Sequence, residues 1–220
     1  MTSHALHVLG VRGEASAPFA VWFSERGWAV TGSDTSASGA PLPSDIRVLP
    51  WGSTLPPGTI VAYTPVIASS DPGILQKYET AGHRVLCRGT ALRTLTDPEH
   101  ELVVVAGSAG KSTTSHIVNH LAQHAGQDIG RVIHARTTNG LSGGHHSNTH
   151  RTILVEGQEN DGMFDGDNIS ATLLTNSTGQ HAEQYGDTFA VGVRVLQEKF
   201  HQLLQHTRGP RVLCTDDEGS

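Results

Sequence analysis

Lys111 follows Gly107 and Gly110 in AGSAGKST (106–113), directly after the apolar run ELVVV. Two glycines let a backbone turn tightly and offer amide hydrogens to an anion. A helix starting there adds the positive end of its dipole. Lys111 can reach terminal phosphates and the Ser112 hydroxyl can ligate magnesium. Together with Ser108 and Thr113, these residues form a candidate cradle for phosphate, with magnesium beside it. A full phosphate-loop pattern has another glycine five positions before Gly110, where this chain has Val105, so the loop is a shortened variant. The alternative is a plain strand-to-helix turn.

Carboxylates and a histidine follow two further apolar runs. Glu156 ends TILVEG (152–157), with Glu159 and Asp161 just beyond; His181 and Glu183 lie in TNSTGQHAEQYGD (175–187), after ATLL. In a parallel sheet all strand C-termini share the edge that also carries the phosphate loop. Acids there can hold magnesium or position a nucleophile, or simply form a solvated acidic loop. Nearer the start, GVRGEAS keeps Gly10 and Gly13 but has Ser16 where a dinucleotide fingerprint wants a third glycine. Arg12 and Glu14 would crowd a pyrophosphate, although Arg12 could equally supply a positive contact. This turn is either a binding turn or a purely structural one.

The elements needed to position these groups are legible as alternating strands and helices. HALHVLGV (4–11), WAVTGSD (28–34), TIVAYTPVI (59–67) and RVLC (84–87) read as strands. Between them, SAPFAVWFSERG (16–27) places Phe19, Trp22 and Phe23 on one helical face, and DPGILQKYETAG (71–82) forms a second helix. TALRTLTD (90–97) is a short helix or linker. The pattern restarts at ELVVVAG. A helix over 111–126 should turn Ile117, Val118, Leu121, Ala122 and Ala125 inward. Strands follow at 152–157, 171–176 and 211–217. A long helix before the last has Phe189, Val193, Leu196, Phe200, Leu203 and Leu204 along its seam. Residues 135–151 read as a polar, glycine-rich, mobile loop. The fold class is therefore α/β: a Rossmann-like domain over 1–98, then a phosphate-loop parallel-sheet domain over 99–220, with a ligand cleft between them.

The net charge of −6 disfavours a nonspecific nucleic-acid binder, which must neutralise phosphates. Cys87 and Cys214 lie far apart, in no metal-like spacing, and read as buried thiols of a reducing compartment. The 14 histidines fall mostly on polar segments and read as surface. No basic-then-apolar leader opens the chain and no apolar run reaches membrane-spanning length, so the expected setting is the cytoplasm, without membrane association.

Taken in order, these blocks resemble the Mur ligases. HVLGV..G resembles that family's opening turn, VTGSD its second strand and AYTPVI a Ser/Thr-rich strand end. VAGSAGKSTT resembles AGTHGKTTT, VEGQENDGMF resembles AEADESDGSF, and LLTNSTGQHAEQYGD resembles VVTNIEADHMDTYGD. The resemblance covers nearly the whole chain. It implies a first domain that binds a UDP-sugar, here through Gly10, Arg12, Gly13, Asp34 and Thr64, rather than NAD. It implies a second domain that binds ATP and Mg2+ and phosphorylates a UDP-N-acetylmuramate-like carboxylate to an acyl phosphate, which an amine attacks. In that scheme Lys111, Glu156 and His181 are catalytic, and Ser112, Glu156 and His181 serve magnesium. Ala109, Gln158, Thr178 and Gln180 depart from the family motifs, and the chain stops at CTDDEGS, before the rest of the ATP domain and the amino-acid domain of the family. The expectation is a truncated homologue that needs a second protein subunit to ligate, or a degenerate binding protein that does not ligate. A generic phosphate-loop kinase ranks last, because a full β-α-β unit precedes the loop.

Overall fold

A computed structural model describes residues 4–136, 142–180 and 182–216. Eleven strands and six α-helices among these residues build two sheets. The first contains β1 (Ala5–Leu9), β2 (Ala29–Ser33), β3 (Arg47–Leu49), β4 (Ile60–Tyr63) and β5 (Val85–Cys87), ordered β3-β2-β1-β4-β5 and parallel throughout. The second contains β6 (Glu101–Ala106), β7 (Gly130–Val132), β8 (Gly144–His145), β9 (Thr152–Glu156), β10 (Ile169–Leu174) and β11 (Arg211–Leu213). Its order is β11-β10-β6-β9-β7-β8, parallel except where β8 turns back on β7. The α/β class and the parallel sheets are as expected from the sequence.

Helix α1 (Ser16–Glu25) shows why one apolar face was too modest an expectation. Every residue from Ser16 to Phe23 is buried. A helix that is apolar all round is covered on all sides. α1 lies against β1 and β2 of the first sheet and against β7 and β8 of the second. Phe19, Trp22 and Phe23 stack edge-to-face, with ring centroids 4.9 and 4.8 Å apart. Their core continues without a break from Leu6, Val8 and Val30 to Leu102, Val104, Val132 and Ile153. Each such side chain contributes roughly 1.5–3 kcal/mol by leaving water.

Several local expectations are corrected. The strand expected over 59–67 ends at Tyr63, because Pro65 opens helix α2 (Pro65–Ser70); proline lacks an N–H and has a preset φ, which suit a first helical turn. Helices α3 (Pro72–Thr80) and α4 (Arg88–Leu95) follow. In α5 (Lys111–His124) the inward face is Ser115, Val118, Asn119 and Ala122, while Ile117 and Leu121 are 55% and 61% exposed and Ala125 lies exposed beyond the helix. The left-handed Gly110 (φ 79°) fixes where the helix starts and so fixes its rotation. In α6 (Phe189–His206), Leu196, Phe200 and Leu203 are buried but Phe189 is 64% exposed. Cys214 is exposed and Cys87 half-buried, both free thiols. His7 and His134 are buried, against the surface reading of the histidines. Within 135–151, residues 142–151 carry β8, which packs on α1 so closely that a Cβ on Gly144 would stand 2.1 Å from the Pro18 carbonyl oxygen; residues 137–141 lie outside the described residues. No helix among the described residues is long and apolar enough to cross a membrane.

Candidate functional site

Both sheets direct strand C-termini at one cleft of about 830 Å³. One wall holds Gly10, Arg12, Gly13, Asp34 and Thr64; the other holds Ser108, Gly110, Lys111, Ser112, Thr113 and Glu156. The topology explains this. β1, β2 and β4 end just before the first group, and β6 and β9 end just before or at the second.

The loop after β6 is held from below by residues that sequence reasoning missed. Ser108 N–H donates to the Asn176 carbonyl (3.1 Å) and Ala109 N–H to Asn176 Oδ1 (3.0 Å). Asn176 Nδ2 and Thr175 Oγ1 both donate to the Ala109 carbonyl, at 3.0 and 2.6 Å. Gly107 sits at φ 134°, and a Cβ there would come 2.2 Å from Thr175 Oγ1, so only glycine fits. Thr114 N–H makes the first bond back to the Gly110 carbonyl. The amides of Lys111, Ser112 and Thr113 therefore have no acceptor within the helix and suit an anion. Lys111 Nζ donates to the Gly107 carbonyl (2.7 Å) and stands 3.4 Å from Glu159 Oε1.

Glu156 is 5% exposed. Its Oε1 accepts from Ser112 Oγ at 2.9 Å, and its Oε2 accepts from the His134 backbone N–H at 2.9 Å. His134 follows β7 and points Nδ1 toward Glu156 Oε1 at 3.9 Å. Burial, then the nearby charges of Arg88 and Lys111, hold its pKa well below the usual imidazole value, so it is neutral. Its Nδ1 is buried and has no hydrogen-bond partner among the described residues. His134 could have been found had GRVIH been read as a strand, since it then falls on the same C-terminal edge as Glu156. A three-residue strand leaves too short a pattern for that.

Other expected groups are committed elsewhere. Asp161 is 2% exposed and pairs with buried Arg88 at 2.5 Å, so it does not face the cleft as a metal or nucleophile-positioning acid. Arg88 also donates to Gln158 Oε1 at 3.1 Å. Glu159 lines the cleft beside Lys111 and Tyr185, whose hydroxyl pKa is raised by burial first and by Glu159 and Asp161 next. Glu183 lies exposed in a short turn next to the cleft-lining Gln184 and Tyr185. His181 lies outside the described residues. In the first wall, Gly10 is left-handed (φ 67°) and its carbonyl accepts from Gly13 N–H at 3.0 Å. Asp34 accepts from the Arg12 backbone N–H (2.8 Å) and the Ser36 N–H (2.9 Å), which pins the turn and leaves it lone pairs to spare. Thr64 stands immediately before α2, and its side chain makes no capping hydrogen bond there.

These residues fit a nucleotide phosphate with a divalent cation. Buried Glu156 receives hydrogen bonds from neutral donors, and a buried carboxylate needs a compensating positive charge. Lys111 and Arg88 have their own acids, Glu159 and Asp161. A cation beside Glu156 and Ser112 would supply that charge.

The chain matches no model of a known protein family. It is 32% identical over 225 residues to the UDP-N-acetylmuramate–L-alanine ligase of Arthrobacter sp. (strain FB24), covering 98% of this chain and 46% of that protein. The enzyme of the same name from Bifidobacterium adolescentis is 28% identical over 235 residues, covering 98% of this chain and 42% of that one. The chain thus spans less than half the length of these curated relatives. Among solved structures, the UDP-N-acetylmuramate:L-alanyl-gamma-D-glutamyl-meso-diaminopimelate ligase of Neisseria meningitides superimposes with a TM-score of 0.78 at 17% identity, over 99% of this chain and 73% of that chain. The UDP-N-acetylmuramate-alanine ligase of Thermotoga maritima gives 0.77 at 18% identity, over 98% and 50%. The structures establish the shared fold, and the sequence relatives match it along 98% of its length: the chain belongs to the Mur ligase family.

Proposed function

We propose that the cleft binds ATP at residues 107–113 and a UDP-N-acetylmuramate-like carboxylate along Gly10, Arg12, Gly13, Asp34 and Thr64. The proposed reaction is ATP-dependent amide formation through an acyl phosphate. The observation that carries this reading is the convergence of both glycine turns on one cleft, with Lys111, Ser112 and Glu156 together in one wall. Lys111 would exchange Glu159 and the Gly107 carbonyl for the terminal phosphates. The first-turn amides of α5 would hold the phosphate oxygens, and Asn176 would keep the loop in place. Ser112 and Glu156 would hold magnesium, which when bound supplies positive charge beside the transferred phosphoryl group. His181, by resemblance, would serve a second cation.

By resemblance to the family, a separate domain recruits the attacking amine, and positioning is a large part of such rates. We therefore assign amine recruitment to a second protein subunit, with the complex working in the cytoplasm. A non-ligating binding protein is the second reading. Gln158 favours it: a neutral amide stands where the family motif has an acid, and it is already bonded to Arg88.

Calorimetry with Mg-ATP and with UDP-N-acetylmuramate, followed by an assay with alanine, tests these readings. Binding of both ligands with turnover only at background is expected for the chain alone. Phosphate release matched by amide product, and lost on Glu156→Ala, would remove the need for a partner. Binding of neither ligand would sink both readings.

A further inference from the structure

The His134 imidazole is a buried group of the cleft wall for which phosphate binding provides no use. It is 94% buried at the side chain, lines the cleft, and leaves Nδ1 without a hydrogen-bond partner among the described residues. An orphaned buried ring nitrogen costs free energy unless something occupies it. Its nearest charged neighbour is Glu156 Oε1, 3.9 Å away. That gap is too long for a hydrogen bond, yet it lies within the ~4.2 Å that two metal–ligand bonds of about 2.1 Å can span. Ser112 Oγ stands 2.9 Å from the same Oε1, so three donors from three segments face one small volume: the first turn of α5, the end of β9 and the second residue after β7.

Charge points the same way. Lys111 is paired with Glu159 and Arg88 with Asp161, so Glu156 is the buried carboxylate here whose described partners are neutral donors. The donor set itself decides which cation suits it. Magnesium prefers hard oxygen ligands and keeps its waters, whereas an imidazole nitrogen favours first-row transition ions.

We propose that Ser112, Glu156 and His134 form a mixed nitrogen–oxygen cation site that selects Mn2+ and similar transition ions over Mg2+. This rests on the reading above that Ser112 and Glu156 hold the nucleotide's cation, and it changes the identity of that cation. In binding, Ser112 Oγ turns its lone pair to the ion and releases its hydrogen bond to Glu156. Nδ1 donates its lone pair, with the ring proton on Nε2.

The test is Mn2+ binding to the full chain followed by electron paramagnetic resonance, with Mg2+ competition and pulsed detection of nitrogen coupling. The wild type should bind Mn2+ at least tenfold more tightly than Mg2+ and show coupling to an imidazole nitrogen, which changes isotope signature when histidine is 15N-labelled. His134→Ala should abolish that coupling and lower the Mn2+ preference by about tenfold or more, while His181→Gln retains it. Labelled wild-type protein needs no substitution, so a misfolded variant would not leave the question open. If Mn2+ binds and is lost in Glu156→Gln, but the nitrogen coupling is absent or depends on His181, the imidazole donor is refuted and the Ser112–Glu156 cation reading stands. If no cation binding depends on Glu156, both fall.

Discussion

Lys111 has two acceptors within the protein, the Gly107 carbonyl and Glu159. A phosphate must compete with both, yet it offers a full charge-assisted bond in exchange. Lys111→Ala should therefore weaken pyrophosphate binding by about 1.5–3 kcal/mol, measured by calorimetry, which is the scale of a hydrogen bond to a charged group. Equal binding by the two proteins would reduce the loop to a structural turn. His7 makes a different prediction, about acid stability. Burial first, and His83 second, lower its pKa to about 4. Between pH 6.5 and pH 4 the unfolded chain binds a proton at this residue that the folded chain does not. Stability is thus fully present above pH 6.5 and falls as pH drops toward 4, by about 3 kcal/mol in all. Urea midpoints across that range should slope less steeply for His7→Gln than for wild type; parallel slopes would show that His7 is not held neutral.

The elements show which parts of the site could be read from sequence. The order strand, glycine loop, helix at 101–124 is local, so Lys111, Ser112 and the loop glycines were legible. The identity of Glu156 as an edge residue followed from a five-residue strand with an apolar pattern. Asn176 and His134 carry no local signature; their roles arise from contacts 67 and 22 residues away in the chain. The rotation of α5 was also beyond pattern reading, because the loop rather than the apolar periodicity sets its phase. That correction is testable. Ile117→Lys and Leu121→Lys should each change stability by no more than about 0.5 kcal/mol, as exposed substitutions do. A loss of several kcal/mol in chemical denaturation would restore the apolar face to the interior.

At the scale of the whole molecule, the last strand of the first sheet ends at Cys87 and the second sheet starts at Glu101, yet one apolar core runs through both. Trp22 stands at the centre of that core, next to Phe23, His100 and His146. Truncating it to alanine should cost about 3–5 kcal/mol and should weaken both sheets together. Far-ultraviolet dichroism and tryptophan fluorescence should report one coincident unfolding transition. Two separated transitions would show that the sheets are energetically independent.

The burial of α1 between the sheets has a last consequence, for cut chains rather than intact ones. Residues 97–99 are exposed and form the most direct target for a protease between the two sheets. A single cut there would sever the covalent link but leave α1, supplied by the first fragment, as the cover of β7 and β8 in the second. The nicked protein should therefore elute as one particle, and the fragments, expressed apart, should stay unstructured until mixed.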